Sequence, residues 1–175
     1  MKLVLVLLLF PLFAISQTVH INEGKIEYNE KVKVNGVPQA TLSERAKEAL
    51  LIHAQGDSDS SNIDNNEAGE AKSKGKIKLN APYSIIKTVH YTITLKTSDG
   101  EYKYKIHKVY VKEKARGYKT KEIPSEDLVK DMEGSGIPAI EAEKLLNEID
   151  MKFQKLIVLI NNTMKSNKNL KADNL

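Results

Sequence analysis

Apolar and polar residues alternate along several stretches of the chain, a pattern typical of strands that bury one face. In 24–34 the apolar residues on one parity are Ile26, Tyr28, Val32 and Val34. Alternation returns in 71–79 and in 85–97, where apolar residues hold odd positions. It returns once more after residue 101, with Tyr102, Tyr104 and Ile106 on even positions. These stretches predict the strands of a sheet with one face in the core.

The dipeptide Asp99-Gly100 joins the last two of these strands and predicts a two-residue hairpin loop. We expect a type I′ turn, which needs a positive φ at both central residues and therefore favours Asp-Gly. A two-residue loop places Ser98 opposite Glu101, and the same register brings Leu95 opposite Tyr104. The apolar sides of both strands then lie on one face, as a shared core requires.

Three helices are predicted from capping residues and from apolar residues at helical spacing. The sequence TLSE at 41–44 has the form of a capping box and predicts a helix that runs to about Ala54. A short helix is expected to start near Ser125 as its N-cap and to end at the glycines of 134–136. A long helix from Pro138 to about Lys165 is predicted by an apolar stripe of Leu146, Ile149, Phe153, Leu156, Ile157, Ile160 and Met164.

The first 16 residues have the three-part organisation of a secretory signal peptide. A basic start at Lys2 precedes an apolar run at 3–13, and Ala14 and Ser16 supply small residues before a cut at Gln17. The run is shorter than the roughly 20 residues that a membrane-spanning helix needs, so cleavage is favoured over an uncleaved anchor. The chain has no cysteine, and therefore neither a disulfide nor a site for an N-terminal lipid. We expect an exported protein of the bacterial periplasm or cell surface that is not a lipoprotein.

The sequence after the signal peptide is predicted to form one domain, with an α+β core at 17–115. A polar connection with the short helix occupies 116–136, the long helix 137–166, and a frayed tail 167–175. The polar stretch QGDSDSSNIDNNEAGEA is interpreted either as a linker or as containing a short edge strand at 61–64. A calcium hypothesis for its acidic residues is not favoured. The EF-hand frame counted from Asp57 has Asn62 and Ala68 where glycine and glutamate are needed.

The predicted elements follow the order β-α-β-β-β-β-α, with the long helix added at the C-terminus. This order, with GKIEYNEKVKVNGVPQATLSERAKEAL leading into YTITLKTSDGEYKYKIHKVYV, resembles a family of exported Bacteroidota proteins. That family is known as a domain of unknown function with a TBP-like fold. The likeness is carried by the Asn35-Gly36 turn with its Arg45-Ala46 helix, and by Asp99-Gly100-x-Tyr102 before Val109-Tyr110-Val111.

This resemblance implies an α+β fold with a curved antiparallel sheet and helices on one face. It brings no catalytic residues, because the family has no assigned activity. A fold shared with a DNA-binding protein does not by itself imply DNA binding.

The net charge of +4 is small, but the lysines are unevenly placed. In the predicted sheet, the face away from the core carries Lys72, Lys74, Lys76, Lys78, Lys96, Lys103 and Lys105. One interpretation is a solvated face whose lysines discourage edge-to-edge aggregation. The other is a basic surface that concentrates an anionic ligand.

A basic surface in this compartment predicts anionic envelope components, such as phosphates and acidic glycans, or the acidic face of another protein as ligands. Nucleic acid is the poorer candidate, because the tyrosines that would stack on bases are predicted to face the core. No cofactor is expected. The leading hypothesis is therefore a non-catalytic binding or interaction module of the cell envelope.

Two histidines on the same predicted face, His90 and His107, are weak candidates for a zinc or copper site. The hairpin register places His90 opposite Val109, with His107 diagonal to it. No third histidine or carboxylate joins them in the pattern, so we predict no metal site.

No catalytic residue is predicted, because the sequence has no HExxH, P-loop or serine-elbow pattern and no cysteine nucleophile. Two alternatives to a binding module remain. An enzyme of unrecognised type would need a deep pocket with convergent polar groups. An assembly subunit would use the apolar side of the helix at 146–164.

Overall fold

A computed structural model describes residues 20–56, 69–82 and 84–166. The elements in chain order are β1 (Ile21–Asn22), β2 (Lys25–Ile26), β3 (Tyr28–Lys33), α1 (Gln39–Gly56), β4 (Glu70–Leu79), β5 (Ile85–Ser98), β6 (Glu101–Ala115), β7 (Lys121–Pro124), α2 (Ser125–Glu133) and α3 (Ile137–Lys165). The predicted signal peptide at 1–16, the acidic stretch with its possible strand at 61–64, and the predicted tail at 167–175 lie outside the described residues.

The α+β fold is confirmed, and the described residues form a five-stranded antiparallel sheet and three helices. The strands lie in the order β3-β6-β5-β4, β7 also pairs with β6, and β1 and β2 form a separate pair. The sequence pattern does not predict β7, which lies in the segment assigned to a polar connection. Four residues are too few to show alternation. The strand β7 is formed by pairing with β6, where Ile123 lies opposite Val111.

The β5–β6 hairpin has the predicted register near its turn, where Ser98 lies opposite Glu101 and Leu95 opposite Tyr104. Of the two loop residues, however, only Gly100 has a positive φ, at 73°. The predicted type I′ turn is therefore wrong. The loop instead meets the start of α1, because the Asp99 carboxylate accepts a hydrogen bond from a backbone N–H of that helix.

A β-bulge shifts the register of this hairpin beyond Thr92, which still lies opposite His107. The extra residue belongs to β6, where Lys108 has a φ of 55°. A bulge places two residues of one strand against one of the other, so the parity that faces the core changes at this point.

The bulge corrects the prediction for His90, which lies opposite Tyr110 and not opposite Val109. Val109 and Val111 are buried beyond the bulge, so odd positions of β6 now face the core. Tyr110 consequently turns toward the other side of the sheet, although the sequence parity of β6 would have sent it inward.

Helix α1 begins at Gln39, two residues before the predicted N-cap. The hairpin fixes this start, because Asp99 accepts from the Gln39 N–H at 2.8 Å and Gln39 Nε2 donates to the Thr97 carbonyl at 3.0 Å. Thr41 therefore lies inside the helix, and the predicted capping box is wrong. Helix α2 likewise has Pro124 at its N-cap position, with Ser125 as its first residue. The predicted apolar stripe of α1 is buried, with Leu42, Ala46, Ala49 and Leu50 in the core.

Helix α3 confirms the predicted long helix and packs its apolar stripe into the core of the same chain. The Phe153 ring lies edge-on to the rings of Tyr28 and Tyr91, with centroids 5.3 and 5.0 Å away. Because these apolar side chains are already buried, the stripe is not free to form the assembly interface considered above. Among the described residues, no helix is long and apolar enough to cross a bilayer.

Candidate functional site

The sheet has one face under the helices and one face away from them, which we call the outer face. On β4 the odd residues are buried, and they include Ala71, Ile77 and Leu79. The even residues Lys72, Lys74, Lys76 and Lys78 therefore project onto the outer face. The core side chains of α1 and α3 pack on the opposite side, against residues such as Tyr91. The outer face is thus not covered by either helix.

The predicted site lysines come together across three neighbouring strands. Lys72 lies opposite Thr94 on β5, and Thr94 in turn lies opposite Lys105 on β6. Lys96 on β5 lies opposite Lys103. Thr92 and Thr94 are only 4% and 8% exposed although they point to the outer face. Long lysine side chains can cover such central positions with their aliphatic stems while their ammonium groups stay in water.

Carboxylates that the sequence pattern did not place on this face neutralise part of its charge. Glu70 lies 2.7 Å from the Lys96 ammonium, and Glu27 lies 2.9 Å from that of Lys105. These carboxylates come from strand ends, so their neighbours depend on strand pairing and not on local sequence. Within the described part of the chain, no ion pair involves the site lysines Lys72, Lys74, Lys78 and Lys103.

The bulge adds an aromatic group to the outer face that the sequence did not predict. The His90 ring stacks on Tyr110 with centroids 5.0 Å apart, and the Lys112 ammonium lies 5.6 Å from the centre of the Tyr110 ring. No sequence signal marks this feature, because the bulge residue Lys108 is not a glycine. Desolvation lowers the pKa of His90, and the charges of Lys112 and Lys76 lower this pKa further.

The two histidines contact different threonines. His107 Nε2 lies 3.3 Å from the Thr94 hydroxyl, and His90 Nε2 lies 3.1 Å from that of Thr88. Desolvation also lowers the pKa of His107, followed by the charge of Lys105. In residues 20–56, 69–82 and 84–166, no three potential metal ligands lie together.

A groove of about 410 Å³ lies where the bulge meets β2 and the start of α2. The Lys25 ammonium lies 3.4 Å from Glu126 Oε1, and the Ser125 hydroxyl donates to Glu126 Oε2 at 3.2 Å. The other carboxylate of the groove is Glu27, which pairs with Lys105. Both carboxylates that line the groove are therefore paired with lysine ammonium groups.

Two solved structures are similar to this chain in fold. A TBP-like protein from Parabacteroides distasonis superimposes with a TM-score of 0.68 and 13% sequence identity, over 85% of this chain and 97% of that chain. A DUF4468 family protein from Bacteroides ovatus superimposes with a TM-score of 0.65 and 14% identity, over 87% and 92% of the two chains. Because 85% of 175 residues exceeds the 136 residues before α3, the shared fold extends into α3.

A comparison with curated proteins gives no match. The sequence model of the family described as a domain of unknown function (DUF4468) with TBP-like fold matches residues 28–112. This range starts at the first residue of β3 and ends in β6, so it includes α1 and the strands that carry the site lysines. Residues 28–112 of the chain are therefore similar to the DUF4468 family of domains with a TBP-like fold.

Proposed function

We propose that this protein is a non-catalytic binding module whose outer sheet face binds an anionic ligand. The supporting observation is that both core helices pack on the other face, so that neither of them covers the lysine-bearing face in the described part of the chain. The ion-paired lysines Lys96 and Lys105 contribute less to this surface. The binding charge is assigned to Lys72, Lys74, Lys78 and Lys103.

The spacing of these lysines favours an extended polyanion over a small anion. Alternate residues of a strand are about 6.6 Å apart, so Lys72 and Lys78 lie about 20 Å apart along β4. A single phosphate cannot contact both ends of this row, whereas a chain of anionic groups meets all of its lysines at once. Clustered charge of one sign also raises the local concentration of such a ligand.

The ligand class follows from the expected location of the protein. The N-terminal sequence is organised as a signal peptide, and an exported protein meets phosphate-bearing and acidic polymers of the cell envelope as well as acidic protein surfaces. We therefore place the function in the cell envelope, with an anionic envelope component or an acidic protein as the partner.

The proposal is tested by binding to an immobilised polyanion at increasing salt. We expect the wild-type chain to be retained at low ionic strength and released as salt screens the charges. A variant with the four site lysines changed to glutamate should lose at least tenfold in affinity, which corresponds to about 1.4 kcal/mol.

A matched control separates a local surface from the net charge of the molecule. It carries the same number of lysine-to-glutamate changes on exposed helical positions away from the outer face, at Lys47, Lys130, Lys144 and Lys155. This control should be retained much more strongly than the outer-face variant. Equal losses of affinity in both variants would show that only net charge matters. If the wild type is not retained on the polyanion, the binding proposal is wrong and the lysines only solvate the sheet face.

A further inference from the structure

Strand β4 lies at the edge of the five-stranded sheet, with β5 on one side. Within the described residues, no strand pairs with its other side. An edge of this kind presents a row of backbone donors and acceptors that a further strand can satisfy.

The hydrogen bonds at the start of β4 show which residues present these groups. The Thr97 N–H donates to the Gly69 carbonyl at 2.8 Å, one position before the pairing of Glu70 with Lys96. In an antiparallel ladder, hydrogen-bonded and non-hydrogen-bonded pairs alternate. Odd residues of β4 therefore bond to β5, and the N–H and C=O groups of even residues point to the free edge.

The lysine residues of β4 consequently combine two features. Their ammonium groups lie on the outer face, and their backbone groups lie along the free edge. Lys72, Lys74 and Lys78 are the clearest cases, because neither a strand nor an ion pair among the described residues occupies them. The Lys74 carbonyl accepts a long hydrogen bond, of 3.4 Å, from the Ser73 hydroxyl.

We propose that the free edge of β4 binds an extended acidic segment of another protein by antiparallel strand addition. The proposal rests on the anion-binding function above and names its partner class. Residues directly opposite each other in an antiparallel pair share a face, so an acidic side chain opposite each lysine forms a cross-strand ion pair. A second copy of β4 does not fit, because its lysines would then face lysines.

The probe for this proposal is a nine-residue peptide of alternating glutamate and threonine, added to the full chain without its predicted signal peptide. Amide exchange measured by NMR should slow at least tenfold at Lys72, Lys74 and Lys78 when the peptide binds. Exchange at Ser73 and Ile77 should not change, because their N–H groups already bond to β5. This alternation is the signature of an added strand.

Backbone-blocked peptides test whether binding needs main-chain hydrogen bonds. Glutamates opposite the lysines direct their N–H groups to β4 in the antiparallel arrangement, and threonines direct theirs away. N-methylation of the glutamates should therefore weaken binding at least tenfold, and N-methylation of the threonines should leave it nearly unchanged. All three peptides have the same charge.

The outcomes separate this proposal from the general function. Equal affinity of the three peptides would overturn strand addition but leave charge-based anion binding intact. Failure of all three to bind, alongside salt-sensitive retention on a polyanion, would overturn the acidic-peptide partner alone. Failure of both kinds of ligand would overturn the anion-binding function as well.

Discussion

A buried hydrogen bond connects the sheet to α3 and provides a sharp test of how the helix layer is held. The Tyr28 hydroxyl donates to Asp150 Oδ1 at 2.7 Å, and the two residues are 2% and 1% exposed. Tyr28→Phe removes one oxygen and keeps the ring contact with Phe153. A hydrogen bond to a charged group contributes about 1.5–3 kcal/mol, and a buried acceptor without its donor is costly. Gln154 lies 3.4 Å from the same oxygen, too far to replace the lost bond fully. We expect Tyr28→Phe to lower the free energy of unfolding by about 2 kcal/mol.

The matched control is Tyr104→Phe, which deletes the same hydroxyl oxygen where the partner carboxylate is exposed to solvent. The Tyr104 hydroxyl donates to Glu30 Oε2 at 2.8 Å, and Glu30 is exposed, so water can replace the lost donor. This variant should lose only about 0.5–1 kcal/mol. Both values are obtained from urea denaturation followed by circular dichroism. The dependence of the unfolding free energy on urea concentration should be the same in the variants and the wild type. Equal losses, or a larger loss for Tyr104→Phe, would refute the assigned role of burial.

Three further perturbations test the bulge, the histidines and the helix start. Lys108 has a positive φ, which strains residues with a Cβ. Lys108→Gly should therefore leave stability unchanged or raise it, and Lys108→Val should lower it by about 1–2 kcal/mol. Equal urea midpoints of the two variants would contradict this. The pKa values of His90 and His107 in the folded protein lie below the ordinary 6.5. Between the folded and the ordinary pKa the unfolded state binds more protons than the folded state. The free energy of unfolding should therefore rise as pH increases toward and through 6.5. The pair of changes His90→Gln and His107→Gln should reduce this slope between pH 5.5 and 7.5, and an unchanged slope would exclude them as its source. Asp99→Ala removes the acceptor for the Gln39 N–H and should lower the free energy of unfolding by about 1 kcal/mol. Asp99→Asn keeps an acceptor oxygen and should lower it much less. Equal losses in the two variants would exclude the capping role.

The parts of the fold that follow from the sequence are those set by local periodicity. The β5–β6 hairpin near its turn needs only alternation and a two-residue loop, and α3 needs only an apolar stripe at helical spacing. Both were therefore predictable with their register or bounds. The lysines of β4 were placed on the outer face for the same reason, because parity within one strand is a local property.

The parts that the sequence does not show depend on contacts between distant residues. The start of α1 is fixed by Asp99, which is 60 residues away from Gln39. The bulge at Lys108 is not marked by a glycine in the sequence. A register extended through this position without the bulge gives the wrong neighbour for His90. The pairing of Glu70 and Glu27 with site lysines follows from which strand ends meet, which local alternation does not determine.

The use of the tyrosines explains why recognition on the outer face is assigned to charge and backbone. Tyr28 and Tyr102 donate to Asp150 and Asn161 of α3, and Tyr91 forms a hydrogen bond with His53 of α1. These rings anchor the helices and are withdrawn from any ligand on the other side of the sheet. Surfaces that bind single-stranded nucleic acid rely on exposed aromatic rings as well as on basic groups. The described outer face has one stacked pair of rings, His90 and Tyr110. Its lysines are concentrated along a strand edge that no described strand pairs with, so its affinity should fall steeply with salt and should depend on main-chain hydrogen bonds at β4.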